Sequence, residues 1–299
     1  MDLELSDDQV ALRDGIAALL AGRFGSDRVR AGFDRELFDE LRDAGVFSLR
    51  ADGFSWADCV VVFEQLGRHC VPGPLVGSLL HGSAIAGLVE RRSPAWVEHL
   101  DAIDALLVLD GTSVTSVDPR TLDADPSPWP LDPLTPVARV ESLPPGDPLD
   151  ADPSEWYRAG AVLTAALQVG LADRLTEMSV AYAKEREQFD RPIGSFQAIK
   201  HLLADMLTRT EVARAAVYAA GAHLDAPDVE GVDRSVAGAK VVAGDAAIAN
   251  GKTATQVHGG MGFTWEVDVH LYLKRAWLLD TQFGPGDERA DSLFQALQT

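Results

Sequence analysis

The stretch Gln256-Val-His-Gly-Gly-Met-Gly-Phe-Thr-Trp-Glu266 decides how this chain is interpreted. It follows a segment with helical periodicity and places glycines at 259, 260 and 262, so the backbone can approach a ligand closely. Exposed backbone N–H groups in such a turn can bind phosphate oxygens. Because the stretch follows a helix and not a strand, it is not the glycine fingerprint of a parallel-sheet dinucleotide-binding domain. Taken alone, such a link is more often a plain turn between helices.

A second stretch precedes it in the chain, Tyr182-Ala-Lys-Glu-Arg-Glu-Gln-Phe-Asp-Arg-Pro-Ile-Gly-Ser-Phe-Gln-Ala-Ile-Lys-His201. The pattern predicts the end of a helix, a tight turn with proline and glycine, and a new helix capped by Ser195. Arg186 and Arg191 flank the turn, and an arginine held by a rigid turn can bind a pyrophosphate with two hydrogen bonds. Taken alone, this stretch is more often a solvated helix end.

The whole chain divides into three regions by composition. The predicted fold class is mainly α. Residues 1-95 are predicted to form an N-terminal helical domain, since apolar residues recur there at helical spacing. Residues 96-150 are rich in proline, which cannot donate to a sheet ladder, so only a reduced β-domain is expected, with short strands near 106–117 and at 137–140. Residues 151-299 are predicted to form a four-helix bundle.

Composition limits the classes of function. The formal net charge is −20, which argues against binding to nucleic acid or to an anionic membrane through a general basic field. A phosphate-rich ligand therefore has to be bound by locally placed arginine, lysine or backbone N–H groups. The two cysteines, Cys59 and Cys70, exclude a disulfide framework and a cysteine-ligated metal cluster. With an acidic N-terminus and no long apolar span, a cytoplasmic protein without a metal site is expected.

Together, in this order and spacing, the two stretches closely resemble the C-terminal domain of acyl-CoA dehydrogenases. The family pattern is an arginine turn followed by Phe-Gln, and then a Gln-x-x-Gly-Gly-x-Gly-aromatic motif. Glu64-Gln-Leu-Gly-Arg68 and Pro72-Gly-Pro-Leu75 resemble the family's N-terminal helical domain. The resemblance implies an N-terminal helical domain, a middle β-domain and a C-terminal four-helix bundle, with FAD between them. The C-terminal domain of a neighbouring subunit is expected to hold the ADP half of that FAD.

The resemblance also implies which residues contact FAD. The expected contacts to its ADP half and pyrophosphate are Arg186, Gln188, Phe189, Phe196, Gln197, Gln256, Gly259 and Gly260. Asp190 stands where the family usually has glycine. Aspartate tolerates the left-handed backbone conformation, so the turn is expected to survive, although a negative charge near a pyrophosphate is unfavourable.

The reaction of the family is α,β-dehydrogenation of an acyl-CoA, in which a carboxylate removes the α-proton and the β-hydrogen leaves as hydride to the flavin. Counting from Gln256 to the usual base position, in a Tyr-Glu-Gly triplet, leads to Gln282-Phe283-Gly284, which has no carboxylate. The alternative family position falls near Gly160, which has none either. The remaining candidates for a displaced base are Glu155, Asp280, Asp287 and Glu288.

A chain with a reduced β-domain and no carboxylate at either base position resembles one subunit of the heterotetrameric acyl-CoA dehydrogenases of actinobacterial steroid catabolism. The implied function is an FAD-binding subunit that acts on a CoA thioester, with a steroid-derived acyl group as one option. A homologous full-length partner subunit is expected to supply the base, and an electron-transfer flavoprotein to accept the electrons. Two alternatives stay open: a self-sufficient homo-oligomer with a displaced base, and a non-catalytic scaffold or CoA-ester-binding homologue. Flavin bound by the chain alone would favour the first, and flavin bound in no assembly the second.

Overall fold

The first part of the chain is helical, as the spacing of its apolar residues predicts. The computed structural model describes residues 4–226, 231–284, 290–291 and 293–294. The helices of the first part are α1 (Asp7–Arg23), α2 (Ser26–Arg30), α3 (Arg35–Asp43), α4 (Trp56–Arg68) and α5 (Leu75–His81). Helix α4 begins at a capping box in which Ser55 and Asp58 exchange hydrogen bonds. Most residues of α4 are buried, so this helix lies in the core of the molecule.

The middle of the chain forms two small sheets. Their strands are β1 (Ala86–Glu90), β2 (Ala95–Glu98), β3 (Ala105–Leu109), β4 (Val114–Val117), β5 (Ala124–Pro126), β6 (Val137–Val140) and β7 (Asp147–Pro148). One sheet has the order β1-β3-β4-β7, in which β1 and β3 are parallel and the other pairs antiparallel. The other is antiparallel with the order β2-β6-β5, and Glu98 stands opposite Val137. Pro126 and Pro148 lie on edge strands, where proline is tolerated.

Strand β1 differs from the helix that the sequence pattern predicts here, so the prediction is wrong for these residues. Ala86-Gly-Leu-Val-Glu90 is a short apolar run, and periodicity alone does not separate a buried strand of this kind from a helix segment. The strands predicted near 106–117 and at 137–140 are confirmed as β3, β4 and β6.

The last part of the chain contains the long helices that the sequence predicts. They are α6 (Pro153–Glu185), α7 (Gln197–Leu224), α8 (Val232–His258) and α9 (Val269–Asp280). A hairpin of β8 (Glu187–Gln188) and β9 (Arg191–Pro192) joins α6 to α7. Helices α6, α7 and α8 pack on one another, and α9 packs on α6 and α8, so the four-helix bundle is confirmed. Among the described helices, none is long and apolar enough to cross a membrane.

A close crossing of α4 and α6 joins the N-terminal helices to the bundle. A Cβ on Gly67 would lie 2.1 Å from the carbonyl oxygen of Leu167, and a Cβ on Gly170 would lie 2.0 Å from the carbonyl oxygen of Glu64. The two helix backbones are therefore in direct contact, which only glycine permits at both positions. This contact fixes where the N-terminal helices sit on the bundle.

The stretch from Glu64 to Arg68, which is part of the N-terminal resemblance, binds the N-terminal helices to the bundle. Buried Glu64 accepts hydrogen bonds from Arg214 Nε at 2.9 Å and from the Tyr218 hydroxyl at 2.8 Å, both on α7. Arg68 donates to Glu177 on α6 at 2.8 Å. Helix α4 is thus bound to two helices of the bundle, and this motif has a structural role.

Replacing Gly170 by alanine is expected to destabilise the fold by about 1–3 kcal/mol, because the new methyl group meets backbone atoms that cannot rotate away. Gly238→Ala in α8 is the matched control. A Cβ at that position meets nothing within 4 Å, so the change is expected to stabilise by about 0.5–1 kcal/mol. Chemical denaturation measures the free energy of unfolding of both variants. Equal effects at the two positions would contradict the close crossing.

Candidate functional site

The two sequence motifs meet at one end of the bundle. Tyr182, in the last turn of α6, stacks on His258, the last residue of α8, with 4.3 Å between the ring centroids. Arg186 directly follows α6 and Gly259 directly follows α8. The arginine turn and the glycine motif are therefore neighbours in space. We call this region the turn end of the bundle, defined by residues 182–197 and 256–266.

The turn of the arginine motif is a hairpin with two residues in the left-handed region. Phe189 has a φ of 56° and Asp190 a φ of 62°, the pattern of a type I′ turn. The prediction that the turn survives with Asp190 in place of glycine is confirmed. A left-handed conformation is unusual for phenylalanine, and the side chain of Phe189 is 87% exposed. Strain at an exposed aromatic residue indicates a functional constraint at this position.

The two arginines of this turn have different surroundings. The guanidinium of Arg191 lies over the ring of Phe196, 4.0 Å from its centroid. Arg186 is the exposed C-cap residue of α6 and has no ion pair with another residue that the structure describes. In a chain with a net charge of −20, an arginine without a carboxylate partner is available to an external anion.

Ser195 does not cap α7, so that prediction is wrong. It lies in a short 3₁₀ turn (Ile193–Ser195), and the residue before the helix is Phe196, whose side chain accepts no hydrogen bond. The hydroxyl is one position too early to reach the helix N–H groups. The first N–H groups of α7, next to Gln197, therefore have no side-chain cap and are open to an acceptor from elsewhere.

The predicted cofactor contacts gather at the turn end. All are exposed except the half-buried Phe196: Arg186, Gln188, Phe189, Phe196, Gln197, Gln256, Gly259 and Gly260. Gly262 is required by packing, since a Cβ there would lie 2.7 Å from the Thr255 carbonyl oxygen. At Gly260 a Cβ would meet nothing within 4 Å. Packing within the described chain does not explain this glycine, and it leaves room for the close approach of a ligand.

A cavity of about 560 Å³ lies between the middle sheets and the opposite part of the bundle. Its wall includes Trp96, Trp129 and Leu278, and Leu167 of α6 also lines it. A cavity of this size, largely apolar with a few polar groups, is typical of a site for a small organic ligand.

The two positions where the family resemblance places a base touch each other beside this cavity. A Cβ on Gly160 would lie 2.2 Å from Cζ of Phe283, so the ring packs directly on the glycine. Phe283 lines the cavity, is 6% exposed, and meets Tyr157 edge to face at 5.7 Å. A side chain at Gly160 would collide with this ring. An aromatic group therefore fills the usual place of the base.

Of the four candidates for a displaced base, the two that the structure describes do not line this cavity. Glu155 is exposed in the first turn of α6. Asp280 lies against the fully buried Lys240, with 3.5 Å between Oδ1 and Nζ. Asp287 and Glu288 lie outside the described residues.

A carboxylate that the sequence pattern does not mark lines the cavity beside Gln282. Gln282 Nε2 donates a hydrogen bond to Glu98 Oε1 at 2.7 Å. Glu98 ends β2, where it alternates with buried Val97 and shares a face with Trp96. Burial raises the pKa of the Glu98 carboxyl, and the hydrogen bond from Gln282 offsets only part of this rise. A single glutamate at the end of a short strand has no motif by which it could be found.

A buried ion pair lies in the same wall. Arg275 Nε donates to Asp132 Oδ2, and Arg275 Nη1 donates to the Val71 carbonyl oxygen at 3.1 Å. Asp132 also accepts the Leu134 N–H at 3.0 Å and the Thr135 hydroxyl at 2.9 Å. Burial opposes the charge on Arg275, but the Asp132 carboxylate more than offsets this and raises the pKa of the guanidinium. Arg275 Nη2 has no hydrogen-bond partner among the described residues.

The helical domain, the small sheets and the bundle with both motifs at one end form the three-part architecture that the sequence resemblance implies. Residues 158–292 match the family model "Acyl-CoA dehydrogenase, C-terminal domain". Acyl-CoA dehydrogenase IpdE2 of Mycolicibacterium smegmatis is 32% identical over 315 aligned positions, which cover 95% of this chain and 97% of that protein. The chain belongs to the acyl-CoA dehydrogenase family.

Solved structures share the fold over the whole chain. A chain in the crystal structure of the ChsE4-ChsE5 complex from Mycobacterium tuberculosis has a TM-score of 0.82 at 22% identity, covering 100% of this chain and 99% of that one. A chain of a variant of the Tcur3481-Tcur3483 steroid ACAD has a TM-score of 0.84 at 20% identity, with 98% of each chain covered. At these identities the likeness concerns the fold alone.

Breaking the buried ion pair is expected to cost about 3–5 kcal/mol of stability, because an Asp132→Asn variant leaves the Arg275 guanidinium buried without a counter-ion. Asp118→Asn is the matched control, since its partner Arg120 is 88% exposed and its loss is expected to change stability little. Urea denaturation of both variants makes the comparison. A small effect at Asp132 would mean that the pair is not needed to hold the cavity wall.

Proposed function

We propose that this chain is an FAD-binding subunit of an acyl-CoA dehydrogenase that works with a homologous full-length partner chain. The reaction is α,β-dehydrogenation of a CoA thioester, for which family membership is the support. When bound, FAD supplies the acceptor for the hydride that leaves the β-carbon. A steroid-derived acyl group is the favoured substrate class, since a structure of the same fold is that of a steroid enzyme.

The residues at the turn end fit the pyrophosphate of FAD. Arg186 is exposed, forms no ion pair with a residue that the structure describes, and has a planar guanidinium that matches two phosphate oxygens. Gly260 lets backbone N–H groups approach closely, and Gln256 and Gln197 add exposed amides. These side chains bind and orient the cofactor, and none of them has a part in proton transfer.

The length of α6 supports a cofactor site that is shared between chains. Gly160 touches the usual base position. Arg186 lies 26 residues further along, at the end of the same helix. At about 1.5 Å per residue they are about 39 Å apart. The ribityl chain that joins the pyrophosphate of FAD to its flavin ring is far shorter than this. This distance supports a site in which FAD held at Arg186 extends its flavin into another chain.

A homologous but different partner is favoured over a second copy of this chain. In the site to which Arg186 contributes, a carboxylate must remove the α-proton, and Phe283 fills the usual place of that carboxylate in this chain. A full-length partner supplies both the base and a larger β-domain. Proteins of the same fold include two that are named as two-component assemblies, ChsE4-ChsE5 and Tcur3481-Tcur3483. The expected electron acceptor is an electron-transfer flavoprotein.

Replacing Arg186 by alanine in the co-expressed complex is expected to weaken flavin binding by about 10- to 100-fold, the effect of losing a hydrogen-bonded charge worth about 1.5–3 kcal/mol. The flavin absorbance of the purified complex, titrated with FAD, measures this. Arg120→Ala is the matched control, because Arg120 is an exposed arginine in the middle region, away from the turn end.

Two other results would redirect the proposal. A yellow protein purified without a partner, which reduces an electron acceptor with an acyl-CoA, would indicate a self-sufficient homo-oligomer. Absence of flavin from every assembly would indicate a scaffold or a CoA-ester-binding protein.

A further inference from the structure

Glu98 and Gln282 form a polar pair that flavin binding at the turn end does not explain. Their hydrogen bond, 2.7 Å from Gln282 Nε2 to Glu98 Oε1, lies in the wall of a largely apolar cavity. Placing a carboxylate in apolar surroundings costs free energy. Glu98 is nevertheless only partly buried, so a ligand in the cavity can reach it. The position has the properties of an acid–base site: access, low polarity and one orienting hydrogen bond.

We infer that Glu98 is a general base of this cavity, oriented by Gln282, and that it removes the α-proton of an acyl thioester. The inference rests on the proposed function for the class of substrate. It goes further by giving this chain a proton-transfer site of its own, separate from the site to which Arg186 contributes and in which the partner supplies the base. Gln282 is the first residue of the triplet in which the family carries its base. Glu98 brings a carboxylate from strand β2 to the neighbouring position, beside Gln282.

The groups around Glu98 suit this role. Burial raises the pKa of the Glu98 carboxyl, and a carboxylate with a raised pKa is a stronger base. Gln282 and Arg275 lower the pKa of Glu98, and Asp132 raises it. The effects of Arg275 and Asp132 partly cancel because these two residues form an ion pair. Arg275 Nη2 lies in the same wall without a hydrogen-bond partner among the described residues. Its N–H groups are available to a carbonyl oxygen of the ligand.

The step moves one proton and needs no oxidant. The bond between the α-carbon and its hydrogen breaks, and the proton goes to a Glu98 carboxylate oxygen. The electron pair stays on the thioester as an enolate, and return of the proton regenerates the starting compound. Oxidation would follow only where a flavin takes hydride from the β-carbon, so the proton transfer can be tested by itself.

Deuterium exchange into phenylacetyl-CoA tests this base without a flavin. Phenylacetyl-CoA has acidic α-protons and no β-hydrogen, so it can exchange but cannot be dehydrogenated. The full chain, purified without a partner, is incubated with it in D₂O, and mass spectrometry follows the uptake of deuterium. Glu98→Gln keeps the size of the side chain and its ability to pair with Gln282. It is expected to slow exchange by about 100-fold or more.

Two further variants separate a base from a structural residue. Glu141→Gln is the matched control, because this glutamate lies just beyond β6 in the same sheet, is 70% exposed and pairs with Arg139. Its exchange rate is expected to equal that of the wild type. Gln282→Leu removes a hydrogen bond that lowers the pKa of Glu98, so the midpoint of the pH–rate profile is expected to move to higher pH.

The outcomes separate this inference from the proposed function. Exchange at the wild-type rate in Glu98→Gln, or no exchange by the wild type above the rate in solvent, would overturn the role of Glu98. A yellow complex that loses flavin on Arg186→Ala would still support the proposed function in that case. A colourless complex combined with exchange that depends on Glu98 would overturn the proposed function and support the base.

Discussion

The buried ion pair between Asp132 and Arg275 is the interaction on which the cavity depends. Asp132 fixes the irregular segment between β5 and β6, while Arg275 belongs to α9 and also binds the Val71 carbonyl oxygen after α4. Three parts of the chain that are distant in sequence therefore share one contact. Because both charges are out of water, removing either leaves the other unpaired at a cost of several kcal/mol. The pair thus holds the opposing walls that bring Glu98 and Gln282 together.

The parts of the structure that could be predicted from sequence are those set by local patterns. Periodicity located the four bundle helices, and the spacing of the arginine turn and the glycine motif located the turn end. Strand β1 could not be found in this way, since a short apolar run fits a helix equally well. The role of Glu98 could not be found either. It depends on a contact with Gln282, 184 residues further along the chain, which exists only once β2 lies beside the end of α9.

The cofactor site proposed at the turn end combines a strongly acidic chain with local groups that suit an anion. Net charge acts at long range and is screened by salt, whereas Arg186, the uncapped N–H groups of α7 and the glycine turn act at contact distance. Asp190 is the unfavourable element, but it lies at the exposed tip of the hairpin, where water screens its charge. All of these groups face outward. They lie at the C-terminal end of α6, which is remote from the cavity. Under the proposed function, another chain covers these exposed groups and completes the cofactor site.

Phe283 and Gln282 together determine where a base can lie in this cavity. With the Phe283 ring packed on Gly160, neither usual position can hold a carboxylate. Gln282 stands where the family triplet has its tyrosine, and its amide donates a hydrogen bond to Glu98 at 2.7 Å. The amide carries no charge, so it orients the Glu98 carboxylate without repelling it. Phenylalanine at 283 therefore removes the base from its usual place, while glutamine at 282 binds the carboxylate that reaches the cavity from the neighbouring strand.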